Sequence, residues 1–185
     1  MKFRDMRIRQ ERASRYAHGK ILDVGCSGKN GFNPYLKGHV VGFDIIDITN
    51  DSDNYKEIVK GDANNLDEYF GKETFDTVIA LELIEHLHNP IKFVNDCHKI
   101  LKSGGVLILS TPTPYYYRTL IGNLLFYKGT SVQDIHYTLW SPRTLNTVAK
   151  NGGFEVVDVL SAHRLYIPFI TWQMIYVYKK REHED

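Results

Sequence analysis

Ile21-Leu22-Asp23-Val24-Gly25-Cys26-Ser27-Gly28-Lys29-Asn30-Gly31-Phe32 is a short, mostly apolar run that meets an acid and then breaks into glycines. A β-branched and apolar run bounded by turn formers reads as a buried strand. Glycine in the turn lets a backbone approach a ligand closely and take a positive φ at which a Cβ would clash. A strand that empties into such a turn belongs to an α/β unit if helices and further strands alternate on either side of it.

They do. Upstream, Arg7 to Ala17 reads as a helix closed by His18-Gly19. Downstream, His39 to Asp44 gives a second buried strand ending in an acid, and Tyr55 to Lys60 a third ending at Gly61-Asp62. Phe75 to Leu81 is nearly all apolar, as a central strand covered on both faces should be. Pro90 starts a helix whose Ile91, Phe93, Val94, Cys97, Ile100 and Leu101 lie mostly on one side, and Ser103-Gly104-Gly105 ends it. Val106 to Ser110 is strand five. Ser141-Pro142-Arg143 opens another helix that runs to Gly152-Gly153, and Phe154 to Leu160 and Phe169 to Tyr178 are the last two strands. Alternating strands and helices imply a parallel, doubly wound α/β sheet whose ligands sit beyond the carboxyl ends of the strands. With no repeat or linker, residues 1–185 form one domain, with residues 115–140 as an insert on its acceptor side.

Composition narrows the class without naming a function. The chain has 185 residues, 43% hydrophobic and 24% charged, with a net charge of +1, which fits a globular domain rather than a disordered or membrane-spanning one. Cys26 and Cys97 lack the spacing of a disulfide framework or a zinc knuckle, and nothing resembles a signal peptide, so a cytoplasmic setting is expected. Residues 1–20 hold seven Lys or Arg against Asp5 and Glu11. Such a basic helix could meet anionic lipid or nucleic acid, although a solvated helix face explains it as well.

Three acids follow three successive strands. Asp44 lies 21 residues after Asp23, where a carboxylate can accept both hydroxyls of a ribose, and Asp62 is placed to receive an adenine amino group. A nicotinamide dinucleotide would want GxGxxG to cradle its pyrophosphate, and the turn from Gly25 does not match. Asp23 would repel a diphosphate; it suits a cationic ligand instead, such as the ammonium of an amino acid joined to a nucleoside.

With FDTVIALELIEHLHNP (75–90) and LKSGGVLILSTPTP (101–114), the chain resembles the class I S-adenosylmethionine-dependent methyltransferases, in the branch with an EHL signature, from about Lys20 onward. The resemblance implies a three-layer Rossmann-like sandwich with a seven-stranded sheet of order 3-2-1-4-5-7-6, the last strand antiparallel. It implies that Asp23, Gly25, Cys26, Ser27 and Gly28 line the methionine part of S-adenosylmethionine. Asp44 and Ile45 would hold ribose and adenine, Asp62 and Ala63 the adenine edge, and Leu81 would flank the sulfonium. The family loop reads DxGxGxG; here Ser27 and Lys29 stand in place of its second and third glycines.

Glu82, Glu85 and His86 are spaced i, i+3 and i+4, which would put them on one face of a helical turn, and His136 could add a second imidazole. This quartet is similar to that of metal-dependent small-RNA 2′-O-methyltransferases and of ubiquinone-pathway O-methyltransferases, in which a metal holds the acceptor hydroxyls. The alternatives are catalysis without metal, with His86 as base, and a loop-tying role for that histidine. The aromatic segment from Tyr115 to Tyr127 reads as an acceptor lid or a packing helix, Trp140 and Arg143 as candidate acceptor contacts, and Cys26 as a packing residue beside the cofactor. Three functions stay open: methyl transfer to O or N of a small molecule, glycan or lipid-linked intermediate; methyl transfer to RNA; and a non-catalytic binding module. The methyl acceptor and the oligomeric state are not legible.

Overall fold

The computed structural model describes residues 2–26, 31–48, 53–117, 120, 121, 125, 136–163, 167 and 170–182. Its order is α1 (Lys2–Ser14), β1 (Lys20–Val24), β2 (His39–Asp44), β3 (Tyr55–Lys60), α2 (Leu66–Tyr69), β4 (Phe75–Leu81), α3 (Pro90–Ile100), β5 (Leu101–Pro112), α4 (Pro142–Asn151), β6 (Phe154–Ser161) and β7 (Gln173–Lys180). Short 3₁₀ turns at Ala63–Asn65 and Ile84–His86 follow β3 and β4. The strands form one seven-stranded sheet in the order β3-β2-β1-β4-β5-β7-β6. All neighbours are parallel except β7, which runs antiparallel to both β5 and β6. This is the three-layer Rossmann-like arrangement that the EHL resemblance implied.

Strand alternation divides the core. Leu22, Val24, Val41, Phe43, Val78, Ala80, Leu107, Leu109 and Tyr176 face one layer with Phe93, Val94 and Cys97 of α3 and Leu145 of α4. Ile21, Val40, Ile79, Ile108, Ile175 and Val177 face the other with Ala13 of α1. Both faces being covered, the central strands can be almost wholly apolar. Asp23, Glu82 and the polar ends of β5 and β7 fall past the apolar registers, at the carboxyl edge.

Several boundaries differ from the sequence reading. Helix α1 begins at Lys2 and ends at Ser14, where Tyr16 and Ala17 amides close on Ala13 and Ser14 carbonyls at 3.2 Å. Its arginines are not all solvated: Arg9 is buried, and Arg12 Nη1 donates to the His163 carbonyl at 2.5 Å. Strand β5 starts at Leu101, directly after α3, and runs through Ser103-Gly104-Gly105 because Leu101 already pairs with Phe75. Strand β7 starts later than expected, at Gln173, and continues through Lys179 and Lys180. Lysines at a strand end read as its stop, but Lys180 is buried because its Nζ donates to the Leu101 carbonyl at 2.7 Å.

Candidate active site

The three acids lie where strands give way to turns: Asp23 is the last residue but one of β1, Asp44 ends β2, and Asp62 follows β3 by two residues. Gly25 N–H donates to the Phe43 carbonyl at 2.8 Å, and Gly61 N–H donates to the Asp44 carbonyl at 2.9 Å, so the turns after β1 and β3 are tied to β2. Gly25 has φ 76°, and a Cβ on it would sit 3.3 Å from Leu83 Cδ1, so glycine is required there by conformation and by space. Ser27 and Gly28 lie outside the described residues.

Asp23 is buried, and the Tyr55 hydroxyl donates to its Oδ2. Burial pushes its carboxyl up to about 7, against the downward pull of the Tyr55 hydrogen bond and with an upward push from Asp44. Asp44 is also buried, and its Oδ1 accepts from the Ile46 amide at 3.1 Å. Ile45 beside it is 66% exposed, a large apolar side chain left open to solvent. Asp62 caps the following 3₁₀ turn, its Oδ1 accepting from Asn64 N at 2.9 Å and Asn64 Nδ2 at 2.8 Å. Ala63 is partly buried against the core and Leu81 is buried at the end of β4. Cys26 is buried with its Sγ under Gly42, and burial pushes its thiol up to about 12, which suits packing rather than nucleophilic attack.

On the acceptor side the expected helical quartet does not assemble. Glu82 stands before the 3₁₀ turn at φ 57°, a left-handed conformation rare for a side chain with a Cβ, so helical spacing does not apply to it. Its carboxylate stays beside Glu85 but is engaged elsewhere: Oε1 accepts from Ser110 Oγ at 2.9 Å, Oε2 accepts from Gln173 Nε2, and Arg9 Nη1 lies 3.7 Å from Oε2. The Glu82 amide donates to the Ser110 carbonyl at 2.9 Å, which locks the unusual backbone in place.

The other three residues converge. Ligating atoms of Glu85, His86 and His136 lie within 4.8 Å of one another, and the two imidazole rings meet edge to face at 4.7 Å. The Glu85 carbonyl accepts from the Tyr137 amide at 2.9 Å, the contact that brings His136 across the site. Glu85 is buried, and neither carboxylate oxygen has a hydrogen-bond partner among the described residues; Thr111 is near enough to favour the ionised form but stops short of a hydrogen bond. Burial, then the charge of Glu82, raise the Glu85 carboxyl well above its usual range. Burial, then His86, lower His136 and favour its neutral imidazole. Trp140 is a core residue and Arg143 is on the exposed face of α4, so neither reads as an acceptor contact. Most of the 115–140 insert, including residues 126–135, lies outside the described residues.

Sequence reasoning missed Arg9, Ser110, Gln173 and Tyr55. Two signals were present: a serine near the end of a buried strand, and Gly42 within one, where glycine marks the close approach of another group.

A family model described as a methyltransferase domain matches residues 3–159. The mitochondrial ubiquinone biosynthesis O-methyltransferase of Homo sapiens is 29% identical over 166 residues, covering 81% of this chain and 44% of that protein. The ubiquinone biosynthesis O-methyltransferase of Coxiella burnetii is 30% identical over 171 residues, covering 77% of this chain and 66% of that protein. The chain thus spans about half to two thirds of the length of these curated relatives. Among solved structures, a SAM-dependent methyltransferase from Archaeoglobus fulgidus superposes with a TM-score of 0.66 at 15% identity, covering 97% of this chain and 94% of that one. The [4+2]-cyclase SpnF superposes with a TM-score of 0.69 at 14% identity, covering 94% and 80%. These structural likenesses carry the fold, and the presence of a cyclase among them shows that the fold alone does not fix a reaction.

Proposed function

The chain belongs to the methyltransferase domain family, whose cofactor is S-adenosylmethionine, and from that premise we propose that it transfers the methyl group to an oxygen of a small-molecule acceptor bound at Glu85, His86 and His136. The observation that carries this reading is the convergence of those three side chains, from the turn after β4 and from residue 136, just past the central strand that ends at Leu81. The O-methyltransferase relatives support oxygen over nitrogen.

The cofactor site fits its ligand. Asp23 offers a buried carboxylate without a protein cation among the described residues, Gly25 takes a positive φ beside it, and across the carboxyl edge the strands bring Asp62 and Ala63, then Asp44 and Ile45, then Asp23, then Leu81. When bound, S-adenosylmethionine would supply a methyl group on a sulfonium, with the sulfur keeping the electron pair of the carbon–sulfur bond as the acceptor oxygen takes the carbon. An acceptor hydroxyl must also lose its proton. His136, whose neutral form burial favours, is suited to take it, and Glu85, whose carboxyl burial biases toward the protonated form, can hydrogen-bond the acceptor. The close approach demanded by in-line transfer makes positioning the main contribution of these residues.

A second reading of the same trio is favoured by its donor set: one carboxylate and two imidazoles suit a divalent ion that would bind the acceptor oxygen. Glu82 is outside that set, its two oxygens being taken by Ser110, Gln173 and Arg9. The two readings separate on calorimetry with magnesium, manganese or zinc in the presence of S-adenosylhomocysteine, since only the second gives heat that His136→Ala abolishes.

The test of the function is methyl-labelled S-adenosylmethionine offered with a panel of phenols, sugars and RNA. Label is expected in a small hydroxylated acceptor. Glu85→Gln and His136→Ala should slow that transfer by about 10²-fold or more while leaving the affinity for S-adenosylhomocysteine within twofold. Label in RNA alone would overturn the proposal.

A further inference from the structure

Tyr55 reaches Asp23 from two strands away, and the fold is shaped to let it. Strand β2 lies between β1 and β3, and Gly42 is the residue beside Asp23 in the β1–β2 register. A Cβ on Gly42 would lie 2.9 Å from Cys26 Sγ, closer than real contacts come, and 3.0 Å from Tyr55 Cδ1, so the ring would have to give way. Glycine in the middle of this buried strand therefore opens the path along which the Tyr55 ring crosses to the acid.

The hydroxyl is also oriented. Its oxygen accepts from the Asn33 amide at 2.9 Å, which leaves its one proton for Asp23 Oδ2. Asn33 is itself fixed, its Nδ2 donating to Ser14 Oγ at 3.0 Å and its carbonyl accepting from Asn54 Nδ2 at 3.1 Å. Phe32 closes over the Tyr55 ring at 4.9 Å. Asp23 Oδ1, by contrast, has no hydrogen bond and no cationic side chain among the described residues, although the residue is buried. A buried carboxylate with one oxygen pinned and the other open at a glycine turn is prepared for a ligand cation.

We propose that Tyr55 is a positioning residue for the cofactor: it holds Asp23 Oδ2 so that Oδ1 accepts from the ammonium group at the amino-acid end of S-adenosylmethionine. Tyr55 touches the acid and not the ligand, and Gly42 is the gap that makes this contact possible. The proposal rests on the reading that Asp23 faces the amino-acid end of the cofactor.

The experiment is calorimetry at pH 8 with two ligands, S-adenosylhomocysteine and 5′-methylthioadenosine, which keeps the nucleoside and the sulfur but lacks the amino acid. Wild type should prefer S-adenosylhomocysteine. Tyr55→Phe should bind it about tenfold more weakly and bind 5′-methylthioadenosine as wild type does. Gly42→Ala, which displaces the ring but keeps the hydroxyl, should give the same selective loss, and it carries the test if Tyr55→Phe does not fold. A Tyr55→Phe protein that keeps the wild-type preference overturns the proposal and leaves the reading of Asp23 standing. Equal weakening of both ligands also overturns it, because that is what a merely structural tyrosine would do. Wild type with no preference between the ligands would remove the reading of Asp23, and the proposal with it.

Discussion

The two ends of the site are built differently. At the proposed cofactor end, Asp44 and Asp62 are held by amides two residues further along their own loops, at 3.1 and 2.9 Å. At the acceptor end, Glu82 is held by Arg9 from the first helix, Ser110 from β5 and Gln173 from β7, and Glu85 receives residue 137 from beyond the insert. One end is local and keeps its form whenever its strands form. The other is a junction of four distant segments, and its geometry depends on all of them docking. Asp23 stands between the two cases, a local acid steadied by one long-range hydroxyl.

The largest effects should come from the buried charges that hold each end. On the proposed reading, Asp23→Asn should weaken S-adenosylhomocysteine binding about a hundredfold, since it removes the carboxylate that would accept from the ammonium. The same change should stabilise the unliganded protein. Because the folded-state carboxyl sits near 7 and an unfolded one near its ordinary value, the stability that Asp23 contributes is complete at low pH and is lost as pH rises through about 7. Urea unfolding at pH 8 should therefore show the Asn variant ahead by on the order of 3 kcal/mol, with the advantage gone by pH 4. An affinity loss without that gain would mean that Asp23 is not desolvated in the free protein.

At the other end, Glu82→Leu leaves the Arg9 guanidinium buried without its carboxylate and should cost about 3 kcal/mol in urea unfolding. Adding Arg9→Met should recover much of that loss, as expected of a coupled pair. If the double variant is no better than the single, the junction is held by Ser110 and Gln173 and the charge pair is incidental.

Smaller effects sharpen the comparison further. S-adenosylhomocysteine affinity followed by calorimetry should be flat above pH 7 and fall by about tenfold per unit below it, because the ligand's ammonium favours the ionised Asp23. A flat profile from pH 5 to 8 would detach Asp23 from the ligand. Asp62→Ala should lose about 1 kcal/mol of stability with its cap, and Asp62→Ser should restore it, serine being an equally good cap. Any weakening of S-adenosylhomocysteine that persists in the Ser variant reports the adenine contact separately from the cap.

The same contrast explains what could be read in advance. The strands, the glycine turn and the three acids were legible because each is written in consecutive residues, an apolar run, then an acid, then a breaker; the order of the strands in the sheet came from the EHL resemblance. The quartet was misread because its spacing assumed a helix that starts at Glu82, whereas the helical turn starts at Ile84 and Glu82 takes a left-handed backbone that its contacts to Ser110 lock in place. Arg9 looked like one more charge on a basic helix. Nothing in its neighbours in sequence distinguishes it from Arg7 or Arg15, since its burial comes from how the helix packs on the sheet. The end of β7 was cut short for a related reason, because a lysine that finds a carbonyl can be buried while its residue type argues against it.

The central claim, that the glycine turn and its acids bind S-adenosylmethionine, is tested most directly by thermal melting with S-adenosylhomocysteine and with NAD. At about a hundredfold excess over the dissociation constant, binding adds about 2.7 kcal/mol, which for a domain of this size raises the melting temperature by roughly 5 to 11 °C. The account predicts that rise with S-adenosylhomocysteine and none with NAD; no rise with S-adenosylhomocysteine would contradict it.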